Sequence, residues 1–321
     1  MNPILYVIIP CFNEEEVLNI TYDTYINEIN LLINNNKISE DSRLVYIDDG
    51  SKDSTWEIIC GLSKKCDLVE GIRLSRNRGH QNAVLAGLLE SKDKCDITIS
   101  IDCDGQDDIT AMEKMVDAYN EGFDIVYGVR KDRSSDSFFK RFTAESYYKL
   151  LNAMGVEVVF NHADYRLISN RVLQELADFK EVNLFLRGMI PLVGFNSTSV
   201  YYKRNERIAG KSHYPLSKML LLAFDGITSL SIKPIRLIAL LGFIIAFLSF
   251  IGIIWVVVGT FMGNTIQGWA SSTCLICFVS GVQMVSLGVI GEYIGKIYLE
   301  VKARPRYIVS EKTSRGEKNN E

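Results

Sequence analysis

The sequence predicts an α/β domain with a mostly parallel sheet, followed by an interfacial helix and a two-helix transmembrane hairpin. Three observations predict it. Short β-rich runs alternate with helical stretches before residue 200, residues Leu237 to Gly291 (55 in all) hold no Asp, Glu, Lys or Arg, and the charge changes sign between the two regions. Residues 1–201 carry 21 Lys+Arg against 32 Asp+Glu, whereas residues 202–321 carry 14 against 7.

The first apolar run, Ile4–Ile9, has no basic leader and is too short for a signal peptide, so it reads as a buried strand, Leu5–Ile9. Further strands are expected at Leu44–Ile47, Leu68–Arg73, Ile97–Ile101 and Asp124–Tyr127, with helices between them at Glu14–Asn34, Thr55–Lys64, Gln81–Ser91 and Ile109–Asn120. Asn13 with Glu16, and Ser54 with Glu57, have the spacing of a capping box. A cytoplasmic catalytic domain is thus expected over 1–203, and a basic loop with an interfacial amphipathic helix over 204–234, its apolar part at Leu216–Leu230.

The uncharged stretch is long enough for two spans, expected near 236–261 and 270–294 and broken by the polar Gly263–Gly268 connection. Lys233 and Arg236 precede it; Lys296, Lys302, Arg304 and Arg306 follow it. The excess of basic residues at both ends places both termini in the cytoplasm, in a multi-pass protein of the cytoplasmic (inner) membrane. Residues 298–321 form a cytoplasmic tail, the last dozen of them expected to be disordered. The basic flanks bracket an apolar run, which favours an anionic membrane surface and excludes nucleic acid as the partner. The seven cysteines, odd in number and without a regular framework, read as reduced thiols, and Cys274-x-x-Cys277 as membrane packing.

Ligands of open α/β sheets sit at the carboxyl ends of the strands, and three strand ends here are polar or acidic. They read Pro10-Cys11-Phe12-Asn13-Glu14, Asp48-Asp49-Gly50-Ser51 and Asp102-Cys103-Asp104-Gly105-Gln106. Asp and Gly end strands for turn reasons alone, but three such ends in one domain, one of them D-x-D, point to chemistry. Carboxylates at this spacing suit a hard cation, Mg2+ or Mn2+, that keeps waters and bridges to substrate phosphates, and Gln106 offers a further oxygen. No phosphate-cradling G-x-x-x-x-G-K-[ST] or dinucleotide G-x-G-x-x-G is present.

The ordered series IIPCFNEEE, IDDGSKDST, LSRNRGHQNAVLAGL, SIDCDGQDD and VYGVRKDR resembles glycosyltransferase family 2, with the GT-A nucleotide-sugar-binding fold. With HADYRLIS, FLRGM, YYKRNERIAGKSHYPLSK and the terminal hairpin, the chain is similar to the polyprenyl-phosphate branch, which includes bactoprenol glucosyltransferases and dolichol-phosphate mannose synthases. The resemblance implies a single inverting transfer of a sugar, glucose first, from a UDP-sugar to undecaprenyl phosphate for cell-envelope glycan modification. Another UDP or GDP sugar (N-acetylglucosamine, galactose, mannose) is the alternative, and a non-catalytic membrane scaffold a further one. It also implies a homo-oligomer. Asn183–Met189 stands where processive synthases carry Q-x-x-R-W, which favours single addition.

Carried onto this chain, the resemblance implies that Pro10, Phe12, Glu14 and Asp49 line the nucleotide pocket, with Asp48 sharing that work. Asp102 would hold ribose or metal waters, and Asp104 with Gln106 the metal. Arg78-Gly79 begins a helix whose amides either face the diphosphate or simply cap the helix. An acceptor phosphate needs cations more than a base, because its second pKa lies near ~6. Arg130, Arg133 and Arg141 form one cationic group, Arg204, Arg207 and Lys211 another, unless either simply touches anionic lipid. Asp164 matches the family's acidic acceptor-site position, its plain alternative being a surface salt bridge to Arg166. His80-Gln81-Asn82 departs from relatives that carry Lys and small residues there.

Overall fold

The computed structural model describes residues 2–131, 162–205, 227–229, 231–262 and 268–313. Arg133, Arg141, Arg207 and Lys211 lie outside these residues, as do the Gly263–Gln267 part of the expected hairpin connection and most of the expected interfacial helix.

Among the described residues eight strands build one sheet: β1 (Leu5–Cys11), β2 (Arg43–Asp48), β3 (Val69–Leu74), β4 (Ile97–Ser100), β5 (Ile125–Arg130), β6 (His162–Ser169), β7 (Ser197–Tyr202) and β8 (Val309–Lys312). Their order is β7-β5-β6-β4-β1-β2-β3-β8. Four of the seven pairings are parallel, and β4–β6, β5–β6 and β3–β8 are antiparallel. The helices are α1 (Glu15–Asn34), α2 (Thr55–Lys65), α3 (His80–Ser91), α4 (Ala111–Asn120), α5 (Asn170–Ala177), α6 (Leu186–Leu192), α7 (Lys233–Phe261) and α8 (Trp269–Lys302).

The strands of the sheet centre are apolar on both faces because both faces are covered. Leu5, Val7 and Ile9 of β1 pack with Leu18, Ile29, Trp56 and Met112 of α1, α2 and α4. Tyr6 and Ile8 point the other way, into a layer formed by Val84, Leu85 and Leu88 of α3, Leu173 of α5 and Ile190 of α6. Burying each of these aliphatic side chains contributes roughly 1.5–3 kcal/mol. Helix α3 approaches the sheet so closely that a Cβ at Gly87 would stand 2.3 Å from Ile8 Cγ2. That contact fixes the height of the α3 N-terminus above the strand ends.

Helices α7 and α8 are 29 and 34 residues long and apolar enough to cross a membrane. They expose Phe243, Phe247, Trp255, Leu275 and Phe278. Helix α8 runs eight residues past its expected end at 294, through Glu300 to Lys302.

The chain then returns to the domain. Val309–Lys312 pairs with β3, so Ser310–Lys312, expected to be disordered, are a strand. Glu311 accepts from the Trp56 indole N–H (3.0 Å) and from Arg73 (3.3 Å), and Thr313 Oγ1 accepts from Gly71 N (2.9 Å). The polar composition that resembled a tail is that of an edge strand, whose solvent face carries charge.

Candidate active site

Strand direction gathers the candidates at one end of the sheet. β1, β2 and β4 are mutually parallel, so their carboxyl ends coincide. β6 runs antiparallel to β4, pairing Arg166 with Ser100, which brings its amino end, and Asp164, beside the Asp102–Gln106 loop. β5 and β7 run parallel and deliver Arg130 and Arg204 to the same end. The structure therefore brings together Pro10, Phe12, Glu14, Asp48, Asp49, Arg78, Asp102, Asp104, Gln106, Arg130, Asp164 and Arg204.

The loops after β1 and β2 are stitched to each other. Asn13 N donates to Ser51 Oγ (2.9 Å), Lys52 N to Asn13 Oδ1 (2.9 Å), Glu14 N to Thr55 Oγ1 (2.9 Å) and Ser54 N to Glu15 Oε2 (3.0 Å). This corrects the two capping boxes. Glu14, not Asn13, is the α1 N-cap, Ser54 does cap α2, and neither makes a side-chain cap bond within its own helix. Asn13, at φ 54°, spends its side chain on the neighbouring loop.

Asp48 is fully buried; its Oδ1 accepts from Ser51 N (2.9 Å) and its Oδ2 faces Arg73 Nε at 3.2 Å. Asp49 accepts from Arg78 N (2.7 Å) and Gly79 N (2.8 Å), holding down the turn that opens α3. Gly50, at φ +68°, lies where a Cβ would meet the Arg76 carbonyl carbon at 2.6 Å, so a side chain there would push that turn away. Pro10 is buried, and Phe12 is 41% exposed at the rim.

Asp102 and Asp104 flank buried Cys103. Tyr25 OH donates to the Asp102 carbonyl (2.8 Å), and Asp104 Oδ1 accepts from Gln106 N (3.1 Å). The Asp102 side chain retains 37% exposure, but its surroundings exclude enough water to push its pKa up to about 6; His80 opposes the rise, and Asp107, Asp164 and Asp104 add to it. Arg204 donates to the Gln106 side-chain oxygen and Asn205 N to the Gln106 carbonyl (2.8 Å). Arg130 is held by Asp107 (3.2 Å) and Tyr202 (3.4 Å), while Tyr202 OH donates to Asp107 at 2.5 Å.

Asp164 lies in a cationic clamp. Arg187 donates through Nε to Oδ1 (3.1 Å) and through Nη2 to Oδ2 (2.9 Å), Arg166 Nη2 donates to Oδ1 (2.5 Å), and His80 Nε2 lies 3.5 Å from Oδ2. The same His80 nitrogen is 3.5 Å from Asp102 Oδ1. Burial alone would raise the Asp164 pKa; Arg187, the His80 hydrogen bond and Arg166 reverse this and hold the carboxyl well below the usual range. Burial alone would lower that of His80, but Asp164 and Asp102 push it up to about 9. The Asp164–Arg166 pair is thus no surface salt bridge: Arg166 is 1% exposed.

His80, Arg187, Asp107 and Tyr202 are the residues sequence reasoning left without roles. Two had a signal, His80 as the departure in the Arg78–Asn82 stretch and Arg187 at the Q-x-x-R-W position.

An α/β sheet with a D-x-D loop at its carboxyl edge, rimmed by acidic loops and fixed cations, is the architecture of an enzyme handling a polyanionic donor. Similarity to known proteins supplies the family. The Glycosyl transferase family 2 profile matches residues 6–177. The uncharacterized glycosyltransferase YkoT of Bacillus subtilis (strain 168) is 48% identical over 307 residues, covering 96% of this chain and 91% of YkoT. The bactoprenol glucosyl transferase of Shigella phage SfX is 39% identical over 305 residues, 94% of this chain and 97% of the phage protein. Among solved structures, the mannosyltransferase PcManGT from Pyrobaculum calidifontis, in complex with GDP-Man and Mn2+, aligns with 94% of this chain and 86% of its own at a TM-score of 0.45 and 14% identity. This chain belongs to glycosyl transferase family 2 and is a glycosyltransferase with a GT-A-like fold.

Proposed function

We propose that the protein transfers one sugar, glucose, from UDP-glucose to undecaprenyl phosphate at a membrane surface, with inversion at the anomeric carbon. One observation carries the reading. The loop bearing Asp102 and Asp104 is hydrogen-bonded through Gln106 to Arg204 and Asn205, which open the basic segment that leads to two membrane-length helices. A site so placed suits a water-soluble donor and a lipid acceptor. The 38% and 39% identities to proteins named bactoprenol glucosyl transferase support the same assignment.

Asp102 and Asp104 offer carboxylate oxygens at the D-x-D loop, which suits a hard divalent cation. Among the described residues no group of three His, Cys, Asp or Glu side chains could hold a metal. Asp102 and Asp104 would therefore share Mg2+ or Mn2+ with water and donor phosphates, while Gln106 is turned to Arg204. When bound, the cation supplies Lewis-acid stabilisation of the departing diphosphate.

The remaining chemistry belongs to the chain. Asp49 takes the Arg78 and Gly79 amides, which are therefore spent on fixing the turn that opens α3 and not turned to the diphosphate. Arg130, fixed by Asp107 and Tyr202, and Arg204 supply positive charge for the acceptor phosphate; Arg133, Arg141, Arg207 and Lys211 are proposed to extend that group. An acceptor phosphate oxygen forms a bond to the anomeric carbon as the bond to UDP breaks, and UDP leaves with the electron pair. A phosphate dianion needs no proton removed, and Asp164, held ionised by its clamp, is a weak base. Its proposed role is to hold Arg187 and His80 in place and to face the positive charge developing on the sugar.

The test is the purified full chain with a panel of UDP- and GDP-sugars, Mg2+ or Mn2+, and undecaprenyl phosphate. A lipid heavier by one hexose, formed from UDP-glucose with a β linkage by NMR, is expected. A retained α linkage, or transfer to water-soluble acceptors only, overturns the reading.

A further inference from the structure

Glu300 lies on the extension of α8 past its apolar part, in none of the sequence motifs that mark the site. Its carboxylate points into the domain. Val182 N donates to both oxygens at 2.9 Å, and Asn183 N and Asn183 Nδ2 each donate to Oε1 at 2.8 Å. Asn183 Nδ2 also reaches the Lys296 carbonyl one turn earlier (3.4 Å), and Arg306 donates to the Phe179 carbonyl (2.7 Å). The segment between α5 and α6 is therefore gripped from both sides of the α8 terminus. An ionised acceptor serving several N–H donors is among the stronger local anchors a chain can make.

The residues just beyond that segment give the contact its meaning. Arg187 comes four residues after Asn183, in the first turn of short α6, and chelates Asp164. The first residue of α6 is pinned on its other side, Leu186 N donating to Gln81 Oε1 (2.9 Å), and Gln81 adjoins His80, which meets Asp164 and Asp102. Glu300 and the 182–183 segment are thus joined by polar contacts, that segment leads through four residues of main chain to Arg187, and Arg187, Asp164 and His80 continue by polar contacts to the D-x-D loop. Contiguity alone is not coupling; here the path is short and ends on a bidentate guanidinium, whose aim is sensitive to small displacements.

We propose that Glu300 is a positioning residue that aims the Arg187–Asp164 clamp, so that the site is complete only when the end of the second hydrophobic helix is docked on the domain. The inference rests on the glycosyl-transfer reading for its kinetic arm and on the contacts alone for its structural arm.

The experiment uses the full chain in lipid nanodiscs and measures hydrogen exchange over 179–192 together with kcat and donor KM for transfer. Glu300→Ala is expected to speed exchange at 182–188, to lower kcat roughly 10- to 100-fold as misplacement does, and to leave donor KM within about twofold. Glu300→Gln, which keeps the Oε1 acceptor, should recover most of both. Asn183→Asp, which sets like charge against Glu300 from the other side, should reproduce the Ala variant and serves if that variant fails to fold. Faster exchange with unchanged kcat in both Glu300→Ala and Asn183→Asp, loss of kcat without faster exchange, or no recovery in Glu300→Gln would each overturn the proposal. The exchange arm needs no acceptor. Absence of transfer by the wild-type chain would therefore count against the function, and unaltered exchange in Glu300→Ala against this inference.

Discussion

The two halves of the site are built differently. On the side proposed to bind the donor, the loops after β1, β2 and β4 are held by near neighbours: Asn13 to Ser51, Asp49 to Arg78 and Gly79, Asp104 to Gln106. On the side proposed to meet the acceptor, the Asp164 clamp collects His80, Arg166 and Arg187 from α3, β6 and α6, over more than 100 residues of chain. The donor half is a set of turns on adjacent strands, tolerant of local change. The acceptor half is a buried ionic cluster, in which removing one partner leaves the others without compensation.

The largest expected effect sharpens the donor half. Asp104→Ala should lower transfer by about 10³-fold or more, the scale of a lost charge-stabilising group, while the thermal midpoint stays near wild type. Label transferred into the lipid fraction measures it, and chelator on the wild-type chain should match it. Asp164→Asn should do the reverse. It strands the buried Arg166 guanidinium, so a loss of stability of about 3–5 kcal/mol is expected in denaturant titration. A change under about 1 kcal/mol would dissolve the contrast between the halves.

That loss has a pH signature. The Asp164 pKa is depressed in the folded state, so its contribution is present above the unfolded value of about 3.9 and is lost as pH falls further toward the folded one. The stability gap between wild type and Asp164→Asn should be widest near pH 5 to 6, shrink below about pH 4, and narrow again as pH rises from about 6.5 toward 9, where the stability that Asp164 lends to protonated His80 is lost. Asp49→Ala comes next, removing an acceptor from two backbone N–H groups. It should cost about 1–3 kcal/mol and weaken UDP binding in calorimetry. Smallest is Glu311→Ala, whose carboxylate is 55% exposed beside Arg73; about 1 kcal/mol or less is expected.

The same contrast explains what could be read from sequence. β1 to β5 and α1 to α4 lie close to their expected positions, because continuous apolar runs and strand-end turns encode them locally. The D-x-D loop was legible for that reason. The capping boxes were not, since Ser51 and Glu15 take the Asn13 and Ser54 amides that the sequence spacing assigned to the Glu16 and Glu57 side chains. β6 and β7 escaped notice because His162–Ser169 and Ser197–Tyr202 mix polar and apolar residues without clean alternation. The roles of His80 and Arg187 depend on β6 running antiparallel to β4, a long-range pairing no local signal announces.

Strand β8 closes the chain back on its own sheet, so both ends of the hydrophobic hairpin are tethered to one body. A polypeptide ended before Lys233 to remove the hydrophobic hairpin would lack that strand as well. The Trp56 indole and the Gly71 amide would lose their acceptors, and the β3 edge would be open for another copy to add to. Removing the hydrophobic hairpin from this protein is therefore expected to promote self-association, unless residues 305–313 are rejoined to the shortened chain.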